Sequence, residues 1–230
     1  MGNSRWHWGS QRPGDALCCW SEAAPDGEAR LADLGAQGLV AWAAAGPVVA
    51  TLPLPQRITT RQVPLAGVPP WLGVDRALAG WGAWQRQGCA EAVLVADAGT
   101  ALSLTRVDAG GSFAGGRLLA GAGLQLRALA RSTAALPALG SEALRATSAV
   151  GWPQATDQAM TVGILRGLAA ALHEAAVEAC EGLAPGCRLW LTGGDAELLA
   201  PLLQTTAQQW QLEPDLVVAS LARLRPAPGR

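Results

Sequence analysis

Apolar positions along the chain recur at two different periods, and the way these alternate predicts strands interleaved with helices. Residues Glu28 to Ala45 are rich in Ala and Leu and read as a helix, with Asp26 as its N-cap and Gly46-Pro47 as its close. Val48 to Leu52 then reads as a short buried strand, and Arg57 to Val63, with its Thr and Ile, as another. Val74, Leu78, Trp81 and Trp84 recur at helical spacing, so a helix starts near Asp75 and runs toward Gly88. Ala92 to Ala96 is a continuous apolar run, the pattern of a strand buried on both faces, and it stops at Asp97. Ala101 to Val107 and Phe113 to Leu119 follow across turns at Gly99 and at Asp108 to Gly111, which predicts a β-meander. Two helical stretches come next, the longer from about Thr156 to Glu181, closed by Gly182 and Pro185. The last unit reads as strand Arg188 to Leu191, turn Thr192-Gly193-Gly194, helix Ala196 to Gln209 and strand Leu216 to Val218.

Composition narrows what such a chain can do. Apolar residues make up 50% and are broken up by 28 Gly and 15 Pro, which describes a compact globular protein and not a disordered one. At 230 residues it can hold one large domain or two small ones, each with a core. The 17 cations against 18 acids form no basic block, so the footprint of a nucleic-acid binder is missing. Every cation is Arg, and the lack of Lys excludes a Walker-type phosphate loop and any Lys Schiff-base chemistry. The five cysteines include no Cys-x-x-Cys pair, and His7 and His173 lie far apart in sequence, so neither a disulfide framework nor a zinc site is expected. Buried free thiols in a reducing, cytoplasmic setting are expected instead. The N-terminus, with Arg5, His7 and three Trp by position 20, lacks the apolar core of a signal peptide. The uncharged stretch Leu34 to Pro55 is interrupted by several Gly and Pro, so no membrane span is expected there.

Three segments carry candidate chemistry. In Val93 to Ala101, a buried strand ends in Asp97 and turns through Ala98-Gly99-Thr100. Such a turn can offer backbone N–H groups to phosphate oxygens while the carboxylate holds a cation; it can equally be a hairpin turn with Asp97 bonded locally. In Gly73-Val74-Asp75-Arg76, Asp75 is either an acid favoured at a helix N-terminus or a general base for a substrate hydroxyl. Arg76 is correspondingly a solvated surface residue or the planar fork that binds a substrate carboxylate. In Thr192-Gly193-Gly194-Asp195, two glycines at a strand-to-helix turn allow a flat ligand to approach the backbone. A weak internal repeat links Gly2-Asn3-Ser4 before Arg5 to Trp8 with Gly99-Thr100-Ala101 before Leu102 to Thr105.

Taken in order, Gly2-Asn3-Ser4, Gly73-Val74-Asp75-Arg76, Asp97-Ala98-Gly99-Thr100-Ala101 and Thr192-Gly193-Gly194 resemble the motifs of the type III pantothenate kinases. These belong to the superfamily of acetate and sugar kinases, Hsc70 and actin. Gly115-Gly116 through Gly121, Thr133 to Pro137, and Thr156 through Gly163-Ile164 fit the same pattern. The resemblance implies an α/β fold of two RNase H-like lobes, 1–88 and 89–230, and ATP-dependent phosphorylation of pantothenate, the first step of coenzyme A synthesis. It implies Asp75 as general base, with Gly73, Val74, Arg76 and Thr156 binding pantothenate. Asp97 would hold a monovalent cation, K⁺ or NH₄⁺, and Mg²⁺ would accompany ATP. Gly2, Asn3, Ser4, Arg5, Gly99, Thr100, Thr192, Gly193 and Gly194 would line the ATP site, in a homodimer with no nucleic-acid or membrane partner.

The sequence departs from that pattern in two places. The family's first loop opens on an Asp two residues before its Gly, at the end of a strand, whereas this sequence opens Met1-Gly2-Asn3-Ser4. That strand and Asp are expected upstream of Met1, or lost from this branch, or gone together with activity, and without the strand a loosened N-terminal sheet edge is expected. The family often has a Tyr before the Gly-x-Asp-Arg motif; here Pro69 stands there, with Trp71 nearby. The rival readings are a nucleotide- or metabolite-binding regulator without turnover, and a kinase of another small hydroxy acid. His7, between Trp6 and Trp8, is expected to be a packed histidine.

Overall fold

A computed structural model describes residues 1–2, 5–24, 29–31, 38–46, 52, 54–148, 151–181, 186–204 and 208–224. The N-terminal part forms a ribbon of β1 (Arg5–Ser10) and β2 (Cys18–Ala23), antiparallel with Trp8 opposite Trp20. Those two indoles stack at 6.2 Å. After the ribbon and a stretch of short turns come α1 (Val74–Arg86), then the meander β3 (Ala92–Ala98), β4 (Ala101–Val107) and β5 (Phe113–Ala120). Helices α2 (Ala122–Ser132), α3 (Ser141–Ala146) and α4 (Thr156–Cys180) follow. The chain then runs through β6 (Cys187–Thr192), α5 (Ala196–Leu203), β7 (Trp210–Leu212) and α6 (Leu216–Arg223).

The main sheet has five strands in the order β5-β4-β3-β6-β7. The meander is antiparallel, and β6 and β7 join β3 in parallel. β3 is central because its run of small and branched apolar residues can be covered on both faces. Its even positions Leu94, Ala96 and Ala98 pack with α2, α3, α4 and α5, while Val93 and Val95 face α1 and α6. α4 is long and apolar enough to cross a membrane by composition, but Leu165, Leu168, Leu172 and Ala176 are buried in that first core, so it is a core helix. α1, although it precedes residue 88, packs on β3 and β4 and against α6, and α6 in turn meets β1. Gly82 permits the close approach of α1 and α6, since a Cβ there would strike the Ser220 hydroxyl.

Several sequence expectations are corrected. Within the helix expected over Glu28 to Ala45, residues 29–31 are helical and 39–45 are not. The Trp42 N–H instead donates to Gln56 O at 2.9 Å, and the Ile58 N–H to Trp42 O at 2.7 Å, so the backbone is satisfied across the chain and not along a helix. Asp26, Pro47 and residues 48–51 of the expected strand lie outside the described residues. Arg57 to Val63 is not a strand but leads into a 3₁₀ turn at Thr60–Gln62. The Gln62 side chain accepts from both the Thr59 N–H and its hydroxyl, at 2.8 and 2.9 Å, which closes that turn. Leu216 to Val218 begins α6, with Asp215 at the N-cap position, and the strand that joins β6 is Trp210–Leu212. α5 stops at Leu203, short of Gln209. His7 is exposed on β1, at the rim of a pocket that Trp6 and Trp8 also line, so it is not the buried histidine expected. All five cysteines are free, but Cys18 and Cys89 are exposed and the other three only partly covered, so these are not buried thiols.

Candidate active site

Strand register gathers the candidate acids and glycine turns at one end of the main sheet. Asp97 lies opposite Thr192 across the parallel β3–β6 pair and opposite Ser103 across β4. The turns that follow β3 and β6 therefore lie side by side at the carboxyl ends of neighbouring strands, where ligands of open α/β sheets bind. Gly193 has φ +95°, and a Cβ there would meet the Asp97 carboxylate and lie 2.5 Å from Ala98 O. The Asp195 N–H donates to Ala98 O at 2.9 Å, which ties the second turn to the first. Gly99 closes its turn by donating to Ala101 O at 3.1 Å, and the Gly121 N–H donates to Thr100 O at 3.0 Å. A Cβ on Gly121 would strike Gly99 O, so three backbone segments meet here with no side chain between them.

Asp75 reaches this cluster from α1. Gly73 occupies the N-cap position, and the Asp75 carboxylate folds back over the space that a Gly73 Cβ would fill. Its Oδ1 accepts the Arg76 N–H at 2.8 Å. Asp97 shares the α1 face of the sheet with Val93 and Val95, since side chains alternate along a strand. Burial, and then the negative charge of Asp75, push the Asp97 carboxyl up to about 7. Two acids close enough to feel each other, with Asp97 in no ion pair among the described residues, suit an oxygen-liking monovalent cation. Among the described residues no three His, Cys, Asp or Glu cluster as an all-protein cage.

The remaining candidates fall in different places. Val74 is buried in the α1 core. The buried Arg76 is no surface residue: its Nε donates to Thr105 Oγ1 and its Nη2 to Leu104 O, each at 3.2 Å. Thr192 is buried and its hydroxyl donates to Pro214 O at 3.2 Å, so its side chain supports the turn. The Gly2 N–H donates to Arg5 O at 3.0 Å. The Arg5 guanidinium lies along β2, with its Nη2 2.9 Å from Ser21 O, and not toward the sheet end. Asn3 and Ser4 lie outside the described residues. Thr156 is exposed at the start of α4, and no hydrogen bond among the described residues joins it to Asp75 or Asp97. It adjoins a cavity of about 500 Å³ walled by α3 and the first turns of α4, with Thr147, Trp152, Asp157 and Thr161 in its lining. Trp71, near the position where a Tyr was expected, is 72% exposed and edge-on to Phe113 at 6.3 Å.

Sequence reasoning missed two contributors, Arg145 and Thr105, and saw Gly116 only as part of a family pattern. Arg145 on α3 reaches Gly194 O at 3.4 Å and its charge offsets the burial that raises the Asp195 carboxyl. Thr105 and Gly116 surround the Arg76 head. A lone Thr in a strand carries no signal until the fold brings it to Arg76, and the Gly115-Gly116 pair fits the family pattern without showing which side chain it makes room for.

The family model of the type III pantothenate kinases matches residues 58–178. A type III pantothenate kinase from Synechococcus elongatus is 38% identical over 244 aligned positions, covering 99% of this chain and 95% of the relative. One from Thermosynechococcus vestitus is 37% identical over 98% of this chain and 88% of its own length. Among solved structures, a Campylobacter jejuni chain described as a Baf family transcriptional activator superposes with TM-score 0.62 at 17% identity, covering 97% of this chain and 94% of that one. A Sinorhizobium meliloti chain described as a 2-dehydro-3-deoxygalactonokinase does so with TM-score 0.53, also at 17% identity, covering 97% and 95%. At that identity the structural likeness speaks for the fold alone, the mixed sheet flanked by helices that sugar kinases share. The matched segment contains Asp75, Asp97 and Thr156, the relatives align over nearly their full length, and the chain belongs to the type III pantothenate kinases.

Proposed function

We propose that the chain transfers the γ-phosphoryl group of ATP to the primary hydroxyl of pantothenate, with Asp75 as general base. The observation that carries this is the convergence of Asp75, Asp97 and the paired glycine turns at one end of the sheet. The Asp75 Oδ1 is held by the Arg76 amide, which leaves Oδ2 to take the hydroxyl proton. The hydroxyl oxygen then forms its bond to the γ-phosphorus as the bond to the β–γ bridging oxygen breaks and ADP leaves. Such a reaction asks the protein mainly for positioning and for compensation of phosphate charge. The Gly99–Thr100 turn and the turn after Thr192, where Gly193 and Gly194 leave the backbone without side chains, suit the phosphates and adenosine, and Arg76 suits the pantothenate carboxylate. Mg²⁺ bound with ATP supplies charge neutralisation on the phosphates, and K⁺ or NH₄⁺ would rest on Asp97.

The same reading includes a cytoplasmic homodimer, Thr156 as a pantothenate contact, and two lobes, 1–88 and 89–230. Purified protein incubated with ATP, Mg²⁺, K⁺ and pantothenate is expected to give 4′-phosphopantothenate by mass. A panel of small hydroxy acids in which another substrate is clearly preferred, or in which none reacts, would overturn it.

A further inference from the structure

We propose that Thr105, with the Leu104 carbonyl and the bare face of Gly116, positions Arg76 so that only one edge of its guanidinium meets the substrate carboxylate. The inference rests on the pantothenate reading above. A guanidinium offers two forks, one from Nε and Nη2 along its side and one from the two Nη atoms at its end. Here the side fork is consumed by the sheet, because Nε donates to Thr105 Oγ1 and Nη2 to Leu104 O. Among the described residues Nη1 makes no bond, so the end fork is the edge left for a ligand.

Local sheet geometry makes room for this. Thr105 pairs with Gly116 of β5, and a Cβ on Gly116 would occupy the place of the Arg76 Nη2. Just beyond that pair the β4–β5 register shifts, with Gly115 at φ +104°. A shift of this kind disrupts the ladder locally, next to the carbonyl that Arg76 uses. Thr105 and Arg76 are both buried, so the Thr hydroxyl is the partner of a charged donor with little water to replace it.

The test compares Thr105→Val, which keeps shape and loses the hydroxyl, with Thr105→Ser, which restores it. The kcat/KM ratio for pantothenate over its neutral carboxamide is expected to fall about tenfold or more in Thr105→Val, the loss typical of a hydrogen bond to a charged group. The change should sit in the KM for pantothenate, with the KM for ATP unmoved and Thr105→Ser close to wild type. In parallel, the ¹⁵N signal of the Arg76 Nε–H, assigned by its loss in Arg76→Lys, should exchange slowly with water in wild type, quickly in Thr105→Val and slowly again in Thr105→Ser. Equal losses on pantothenate and its carboxamide, or unchanged Nε–H exchange in Thr105→Val, would overturn the inference while leaving the kinase reading intact. If the wild type gives no product, the kinase reading falls by itself, and titration of pantothenate against the same signal decides the inference. A shift that Thr105→Val weakens supports it, and no shift overturns it.

Discussion

Asp97 is where burial, charge and chemistry meet in one residue. Its carboxyl is raised to about 7, so between its unfolded value and neutrality the folded protein holds a proton that the unfolded chain releases. Stability therefore falls as pH rises through that interval and levels off above it. The melting temperature of cation-free protein is expected to drop from pH 5 to pH 8, and Asp97→Asn should flatten that slope. Added K⁺ should raise the melting temperature at pH 8 and do little at pH 5, where the carboxyl is protonated. A flat wild-type profile would show that Asp97 is not held in this environment. This environment could not be seen in the sequence. The motif gave Asp97 a place at the end of a strand, but its proximity to Asp75 depends on α1 crossing the sheet, and Arg76 was as readily a surface residue until Thr105 and Leu104 closed around it.

Among the elements, those with strong local signals were legible: α1, the meander and α4 all lie where their periodicity put them. Weak elements were decided by partners that a sequence window does not contain. Trp210–Leu212 is only three residues long and becomes a strand by pairing with β6. Leu216 to Val218 is an apolar run that suits a strand or a helix, and it became the start of α6 because it packs on α1. The α1–α6 contact depends on glycine. Gly82→Val should push the helices apart, at a cost of about 1–3 kcal/mol, the usual range for overpacking. For a domain of this size that corresponds to a melting temperature lower by roughly 2–4 °C per kcal/mol, readable by calorimetry. Gly121→Ala, which would collide with Gly99 O, should weaken ATP binding more than pantothenate binding, and equal effects on both would argue against a phosphate role for that turn.

For the whole molecule, the main sheet carries a core on each face, and the candidate site lies at one end of it, where two neighbouring interior strands finish side by side. Leu172, fully buried on α4, holds one core together, and Leu172→Ala should cost about 2–5 kcal/mol without altering the ratio of substrate affinities. A change in that ratio would mean that α4 packing reaches the site. The family could be read from four ordered motifs, whereas the arrangement that makes them one site is a property of strand register. The most direct measurement is single-turnover formation of 4′-phosphopantothenate by wild type and Asp75→Asn, with binding of ATP and pantothenate followed in the same samples. Wild type should form product, and Asp75→Asn should bind both ligands yet react about 10²–10⁴-fold more slowly, the usual contribution of a general base. Product at the wild-type rate from Asp75→Asn, or none from wild type with both ligands bound, would contradict a phosphoryl transfer driven by Asp75.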